Sequence, residues 1–398
     1  MARPFSRVFC RDSVHIELLS ATKSDRAGHI LAYIREQADS IGYRELRPRV
    51  MENGQLTDST IGEPRASGMK NGGLDISTAG LTAIEQKRFQ SFTEQCREHG
   101  LLQRPTGLSA EDTLDGLNDE VTLLRFLCAR AFDVPGALQQ FKEAHAIRSS
   151  VNTAEAYNTI DIDDFEHLRG IYPHWSGHRT KDGLPICILD AANLDGPSFA
   201  KYHNYTPSQV TCRAITSLDY LTRFVMPLCS AMAVQPVSKA VYLVDITYVS
   251  LKQGWNLRGY AQSFTGLLAT CYPEVVDKIY VVNAPPYFSK IWAFIKGWID
   301  PNTAKKLMIL PPADVLTTLS KRIDIEHIPE RYGGQSKAEV GLVPLVDGLK
   351  DLMGTEELPD GPIKWTMDQG NRTAVAVGAR AGEVRKESLG SIGVKSTL

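Results

Sequence analysis

Apolar positions recur along this chain at helical spacing first, and later in an alternation of short apolar runs with helical stretches. Thr82 opens the first clear helix, with Glu85 three residues on in a capping-box pattern and Ile84, Phe89, Phe92 and Cys96 along one side before Gly100. Asp119 caps a second, EVTLLRFLCARAF, in which Leu123, Leu124, Leu127 and Ala131 recur. Pro135 opens a third, GALQQFKEAHAIRSS. Together they predict a small all-helical domain. From Asp161 the pattern changes. A helix, DIDDFEHLRG, leads to a polar loop, HWSGHRTKDGLP, carrying the turn signal Asp182-Gly183. Strands are predicted at Pro185–Leu189, Lys239–Ile246, Lys278–Asn283 and Leu307–Leu310. Between them lie a long helix begun by Thr206-Pro207-Ser208-Gln209 and ended by Pro227, a helix from Leu251 to Cys271, and another over Phe288–Ile299. A helix over Ala313–Arg322 follows the last strand.

Strands alternating with helices predict an α/β fold with a mostly parallel sheet floor and flanking helices. The ends of the chain lack such periodicity. Residues 1–80 form an N-terminal extension, with a helical stretch at His15–Ala38 and a linker rich in Gly, Ser, Thr and Asn at Asn53–Gly80. The boundaries that follow are 81–150 for the helical domain, 160–335 for the α/β domain, and 336–398 for a partly disordered C-terminal extension. Thr366–Leu398, rich in Gly, Ser, Thr and Arg, reads as mobile.

The segment Cys271–Leu310 carries the most chemistry. On a helical wheel Phe288, Ile291, Trp292, Phe294, Ile295, Trp298 and Ile299 fall within an arc of about 160°, with Lys290 and Lys296 at its borders. Such a helix fits two readings, an amphipathic core helix or one that meets lipid, and it is too short to span a bilayer. After it, Asp300 is placed as an N-cap and Pro301 as the first helical residue. Thr303 and Lys306 then share one face near a helix start, a pattern that suits either a phosphate or plain solvated surface.

Composition narrows the field. A chain of 398 residues with 43% hydrophobic content has ample material for a core, and a net charge of -2 argues against general nucleic-acid binding. Seven scattered cysteines without a CxxC pattern fit a reducing, intracellular compartment. The N-terminus has no secretory pattern. Its three early arginines faintly suggest a mitochondrial presequence, which Asp12 and Glu17 interrupt. Signatures of hydrolases, P-loop enzymes, dinucleotide binders and zinc proteases are all absent. Asp190 and Asp245 stand at strand ends without a nucleophile or base beside them and read as caps of turns or helices. His174 and His178 lack the underlying helix and neighbouring carboxylate expected of metal ligands. Neither a cofactor nor a metal is expected, and the chain is read as a non-enzyme.

Five ordered motifs, LLRFLCARAFDV, TKDGLP, YPEVVDKIYVVNAP, IDPNTAKKLMIL and IPERYGG, resemble the CRAL-TRIO lipid-binding family, specifically its phosphatidylinositol transfer protein branch. The likeness covers Leu81–Gln335. It implies a pocket for one lipid between the sheet and a mobile gate helix, whose position Phe288–Ile299 occupies, so that Phe288, Trp292, Ile295, Trp298 and Ile299 would line the acyl pocket. Carried over by motif, the inositol-phosphate residues fall on Arg130, Glu274, Thr303 and Lys306. Arg130 and Lys306 would neutralise the phosphodiester, Thr303 would donate to it, and Glu274 would orient a basic partner or accept from inositol hydroxyls. The chain departs from the family in two ways. The basic residue that commonly follows the headgroup arginine is Ala131, which leaves Glu274 without its usual partner. Ala240 and Tyr242 stand where choline-lipid binders carry small hydroxyl residues, which places Tyr242 in a pocket for a second ligand.

The resemblance implies a monomeric phospholipid transfer protein that binds phosphatidylinositol and a second lipid. It would exchange them as a peripheral protein on cytosolic faces of Golgi, endosomal or endoplasmic reticulum membranes, without nucleic acid as a partner. A carrier of a sterol or other isoprenoid lipid, and a membrane-tethered regulatory scaffold, are the alternatives.

Overall fold

The computed structural model of the chain describes residues 80–392, except 196, 203, 251–252, 254–256, 287, 289–291, 293–295, 297–300 and 369. The His15–Ala38 helix and all but the last residue of the Asn53–Gly80 linker fall outside the described residues.

The first helix, Ala83–Glu98, starts as its sequence dictates. Thr82 Oγ1 accepts from the Glu85 amide at 3.3 Å, and the Glu85 carboxylate accepts from the Thr82 amide at 2.9 Å. The second, Glu120–Ala129, stops short of its apolar pattern because Ala131 and Phe132 take positive φ angles of 50° and 61°. Its predicted cap, Asp119, accepts instead from the Gly116 amide at 2.9 Å and from the Thr122 hydroxyl. The third helix, Val134–Ser150, brings Phe141 edge-on to Phe92 and Phe126, with ring centroids 6.1 and 4.9 Å away.

The central sheet has five strands in sequential order: β1 (His174–Arg179), β2 (Pro185–Asp190), β3 (Ala240–Asp245), β4 (Val276–Val282) and β5 (Leu307–Ile309). β2 to β5 are parallel and β1 is antiparallel. The strand β1 corrects the sequence reading, which treated HWSGHR as loop. Its alternation is broken by an irregular register between Trp175 and Arg179, where Gly177 adopts a φ of +98°. A Cβ there would lie 1.9 Å from the carbonyl oxygen of Leu345, so only glycine lets the later chain cross this strand. The Asp182-Gly183 turn falls between β1 and β2 as predicted.

Side-chain alternation divides the sheet into two faces. Ile186, Ile188, Val241, Leu243, Tyr280 and Val282 bury one face against Val315, Leu319 and Tyr332 of the segment that follows β5. Cys187, Leu189, Ala240, Tyr242 and Val281 join the main core on the other face. The helix Arg258–Cys271 and the long helix that starts at Pro207 contribute to the same core.

The long helix differs from expectation at its end. Pro227 does not stop it. After Asp219 the backbone widens into a π turn over Tyr220–Val225 and resumes as α-helix over Met226–Ala231, with Pro227 in the first turn of that last piece. There the missing proline N–H falls where the hydrogen-bond ladder has already been reset.

The C-terminal region is a second correction. Thr366–Leu398 was expected to be mobile, yet β6 (Ile363–Asp368), β7 (Asn371–Ala376) and β10 (Glu387–Ile392) form an antiparallel sheet, with a small β8 (Ala379–Arg380) and β9 (Glu383–Val384) pair between β7 and β10. Trp365 anchors it. Its ring stacks on Phe224 at 5.6 Å and its indole N–H donates to the Phe224 carbonyl at 3.1 Å, tying this sheet to the π turn. Lys364 forms a buried ion pair with Asp112 at 2.7 Å.

One buried network joins these parts. Arg148, from the third helix, donates to both oxygens of the fully buried Asp219 at 2.9 and 2.7 Å, and also to the Tyr272 hydroxyl at 2.8 Å. Tyr272 in turn donates to Asp219 at 2.6 Å. Burial opposes the Arg148 charge, but Asp219 and Tyr272 outweigh it and hold the guanidinium's affinity for its proton above the ordinary value.

Arg148→Ala should therefore destabilise the chain by about 3–5 kcal/mol in equilibrium urea unfolding, since it strands a buried carboxylate; a loss below about 1 kcal/mol would contradict the role given to this pair. A second prediction concerns pH. Burial, reinforced by Arg169, pushes the His174 imidazole down to about 3. The unfolded chain, with an ordinary histidine pKa, then binds the extra proton first, so this stabilisation is complete above pH about 6.5 and fades as pH falls toward 3. Between pH 7 and 5 the loss from this residue should be about 2 kcal/mol, and His174→Gln should flatten that part of the stability profile.

Candidate functional site

The Tyr272-Pro273-Glu274 turn connects the helix Arg258–Cys271 to β4, and its geometry follows from the network just described. With Tyr272 locked onto Asp219, the chain must reverse within two residues, and Glu274 does so in the left-handed region with a φ of 58°. Its carboxylate then accepts from Lys306 Nζ at 3.2 Å. Lys306 also donates to the Val276 carbonyl at 2.7 Å, while its own carbonyl accepts from the Ile279 amide at 3.0 Å at the start of the β4–β5 pairing. Both side chains of the pair remain about a quarter exposed, at 25% for Lys306 and 29% for Glu274. Glu274 therefore has a cationic partner despite Ala131. Lys306, thirty-odd residues downstream, fills that place.

Thr303 is buried in the short helix Pro301–Lys305, and its carbonyl accepts from the Lys306 amide at 3.0 Å. Asp300, its expected cap, lies outside the described residues. Arg130 stands at the C-terminal cap of the helix Glu120–Ala129 and is exposed. Its Nε donates to Gln140 at 2.8 Å, and the Gln140 amide donates to the carbonyls of Ala269 and Thr270 at 2.9 and 3.3 Å, just ahead of the Tyr272–Glu274 turn. Among the described residues no hydrogen bond or ion pair joins Arg130 directly to Glu274 or Lys306. The helix that carries Arg130 nonetheless comes close to Glu274. The Cys128 thiol is pushed up to about 11, mainly by burial and next by the Glu274 charge.

Of the gate positions, Phe288 is buried and stacks on the half-buried Trp292 at 6.4 Å. Ile295, Trp298 and Ile299 lie outside the described residues. Tyr242 points from β3 into the main core, flanked in register by Cys187 and Ile279. It is only 3% exposed, and its hydroxyl has no hydrogen-bond partner among the described residues. Burial raises its pKa well above the ordinary phenol value, so it stays protonated and can act as a donor.

Sequence reading missed an aromatic cluster on this side of the sheet. Tyr172 stacks on Tyr260 at 5.8 Å and on Phe264 at 5.5 Å, while Phe199 stacks on Tyr202 at 4.6 Å and meets Tyr260 edge-on at 5.9 Å. Tyr260 anchors the group by donating to the Ile171 carbonyl at 2.6 Å. Tyr260 and Phe264 are four apart on one helix, which was a usable signal. Their partners come from distant segments and gave none. The strand-end carboxylates are committed to structure. Asp190 and Asp245 each accept from the amide two residues on, at 3.0 and 2.8 Å, and both pair with Arg331, at 2.8 and 3.1 Å. The Thr247 hydroxyl also donates to Asp245, at 2.5 Å, which ties that carboxylate further into its turn.

The CRAL/TRIO domain family model matches residues 172–334, from the end of the helical approach to the IPERYGG motif. A CRAL-TRIO domain-containing protein of Saccharomyces cerevisiae is 29% identical over 252 residues, covering 60% of this chain and 78% of the relative. The SEC14 cytosolic factor of Yarrowia lipolytica is 25% identical over 287 residues, covering 67% of this chain and 57% of that protein. A phosphatidylinositol/phosphatidylcholine transfer protein of Arabidopsis thaliana is 25% identical over 236 residues, which span 38% of its length. The crystal structure of Sfh5 superposes with a TM-score of 0.44 at 14% identity over 63% of this chain and 95% of that chain. The stretch from Tyr172 to Gly334 is thus a CRAL/TRIO domain, and the chain around it is similar to proteins of the phosphatidylinositol transfer branch of that family.

Proposed function

We propose that this chain is a non-enzymatic lipid transfer protein that binds phosphatidylinositol and exchanges it with a second hydrophobic ligand at cytosolic membrane faces. The observation that carries the reading is the Glu274–Lys306 pair. An ammonium group has three N–H donors, and two of those of Lys306 are used by Glu274 and the Val276 carbonyl, which leaves one for a phosphate oxygen. Glu274 holds the ammonium in place and can accept from an inositol hydroxyl on its other lone pairs. Buried Thr303, on the same stretch of backbone, adds a hydroxyl, and Arg130, held by Gln140 near the same turn, adds the second positive charge. The names of the relatives support the substrate class, since those from Arabidopsis thaliana are phosphatidylinositol/phosphatidylcholine transfer proteins.

A second ligand is supported by Tyr242. A buried phenol without a partner costs about 1–3 kcal/mol, an outlay that a ligand carbonyl or hydroxyl would recover. Its bulk in place of a small hydroxyl residue disfavours a choline headgroup and favours a sterol, another isoprenoid or a different phospholipid. Phe288 and Trp292 give the gate an apolar face toward that ligand. No described helix is long and apolar enough to cross a membrane. The protein would work as a monomer at the surface of Golgi, endosomal or endoplasmic reticulum membranes. We place the working domains at 81–150 and 160–335, and assign the sheet within residues 336–398 to support of the π turn.

Lys306→Ala should lower phosphatidylinositol transfer between vesicles by about tenfold or more, the effect of losing one charge-assisted hydrogen bond, while the thermal midpoint stays near wild type. Equal transfer by the variant would refute the site. Tyr242→Phe should leave phosphatidylinositol transfer intact and stability unchanged or about 1 kcal/mol higher, but should deplete the second co-purifying lipid in native mass spectrometry. Purified wild-type protein whose bound masses never include phosphatidylinositol would favour the sterol-carrier reading instead.

A further inference from the structure

Away from the lipid side, three segments far apart in sequence bring two imidazoles and a carboxylate together. His178 is at the end of β1, His327 lies in the 3-10 turn Ile325–His327, and Asp347 belongs to the stretch that crosses β1 at Gly177. Asp347 Oδ2 is 3.4 Å from His178 Nδ1 and 3.3 Å from His327 Nε2, and all three donor atoms lie within 4.8 Å of one another. The geometry points to a site for one divalent transition-metal ion, zinc in the first place, held by His178 Nδ1, His327 Nε2 and Asp347 Oδ2.

The distances carry this assignment. A tetrahedral ion with bonds of about 2.0–2.1 Å separates its donors by roughly 3.3–3.4 Å. Two of the three donor pairs already have that spacing, and the third closes by rotation of the two rings, which now stack with centroids 4.7 Å apart. The outer nitrogens are occupied as metal ligands require. His327 Nδ1 lies 2.9 Å from the Arg179 carbonyl, which can only accept, so that nitrogen carries the proton and the Nε2 lone pair faces the carboxylate. A positive centre between these two acceptors, a proton or a metal ion, turns the contact into an attraction. His178 Nε2 sits 2.7 Å from Ser336 Oγ, which already accepts from the Ala338 amide. His178 is 6% exposed, and its Nδ1 has no hydrogen-bond partner among the described residues.

The frame around the donors is rigid. The Trp175 indole donates to the His178 carbonyl at 2.9 Å, and the Leu345 amide donates to the Ser176 carbonyl at 3.0 Å, two residues before Asp347. Asp347 is itself 74% exposed, so the ion would enter from solvent and keep water as a fourth ligand. Two nitrogens and one carboxylate oxygen are a donor set for zinc, cobalt or nickel rather than for magnesium or calcium. Bound there, the ion would staple the segment that leads to the C-terminal sheet onto β1.

The test uses the full-length chain, stripped with chelator and titrated with zinc alone. One ion per chain should bind and raise the thermal midpoint, and cobalt should give the visible bands of a four-coordinate ion. Asp347→Asn, an exposed substitution that leaves the metal-free fold intact, and His327→Ala should each weaken zinc binding by about tenfold or more. Zinc binding unchanged in both variants would assign the ion to the cysteines or other histidines and overturn the site, as would the absence of stoichiometric binding to the wild type.

Discussion

The contact on which the rest of the structure depends is the bidentate grip of Arg148 on Asp219, completed by the Tyr272 hydroxyl. Placing a carboxylate with no exposure in a protein core costs several kcal/mol, and only close, multiple hydrogen bonds offset it. Here Asp219 receives both arms of one guanidinium and a phenol. Each partner belongs to a different part of the molecule. Arg148 comes from the helical domain, Asp219 from the last residue before the π turn, and Tyr272 from the turn that delivers Glu274. Moving any one of them breaks the satisfaction of the other two. The headgroup candidates are thus positioned by an interaction in which none of them takes part.

The π turn has a related origin. Its six residues are all buried, and the carbonyl of Phe224 is used outside the helix, by the Trp365 indole. Arg223, from the same turn, lies over the Tyr157 ring at 4.3 Å and within 3.9 Å of Asp219. A regular α-helix would rotate these side chains by roughly 100° for each residue of register and could not present Asp219, Arg223 and Phe224 to three different neighbours at once. The widened turn serves the packing, and the C-terminal sheet is packed against its consequence.

Much of this was legible in the sequence. The capping boxes at Thr82 and Thr206, the apolar strands β2 to β4 and the Asp182-Gly183 turn carry local signals strong enough to survive folding. What escaped has a common cause. Strand β1 contains two histidines, a serine and a glycine, and becomes a strand because Leu345 crosses it and Trp175 is buried, both facts of tertiary structure. The strands β6, β7 and β10 look polar because the end where β6 turns into β7 and most of β10 are open to solvent, and their order depends on Trp365 reaching Phe224 from 141 residues away. At the candidate site, motif and spacing singled out Glu274 and Lys306, but the pair they form could not be read from residues that each stand just ahead of a different strand. The motif around Arg130 gave no sign of Gln140, which holds its side chain.

The electrostatics of the proposed phosphate site divide the work between its two cations. Lys306 and Glu274 cancel, so the pair alone presents a dipole rather than a charge, and a dipole attracts an anion only at short range. Arg130 supplies the net positive charge, and its exposure gives it reach across the solvent gap but also leaves it screened within about 8–10 Å at ordinary ionic strength. On this reading Arg130 draws in the phosphodiester and helps balance its single charge. Lys306, half-sheltered and already oriented by Glu274 and the Val276 carbonyl, then discriminates by geometry. The two functions differ in salt dependence: capture weakens as ions screen Arg130, whereas the contact with Lys306, once made inside the pocket, changes little. On the proposed reading a neutral headgroup would gain nothing from Arg130 and only an uncharged hydrogen bond from Lys306, so that the arrangement would favour a charged lipid even though its inner pair carries no net charge.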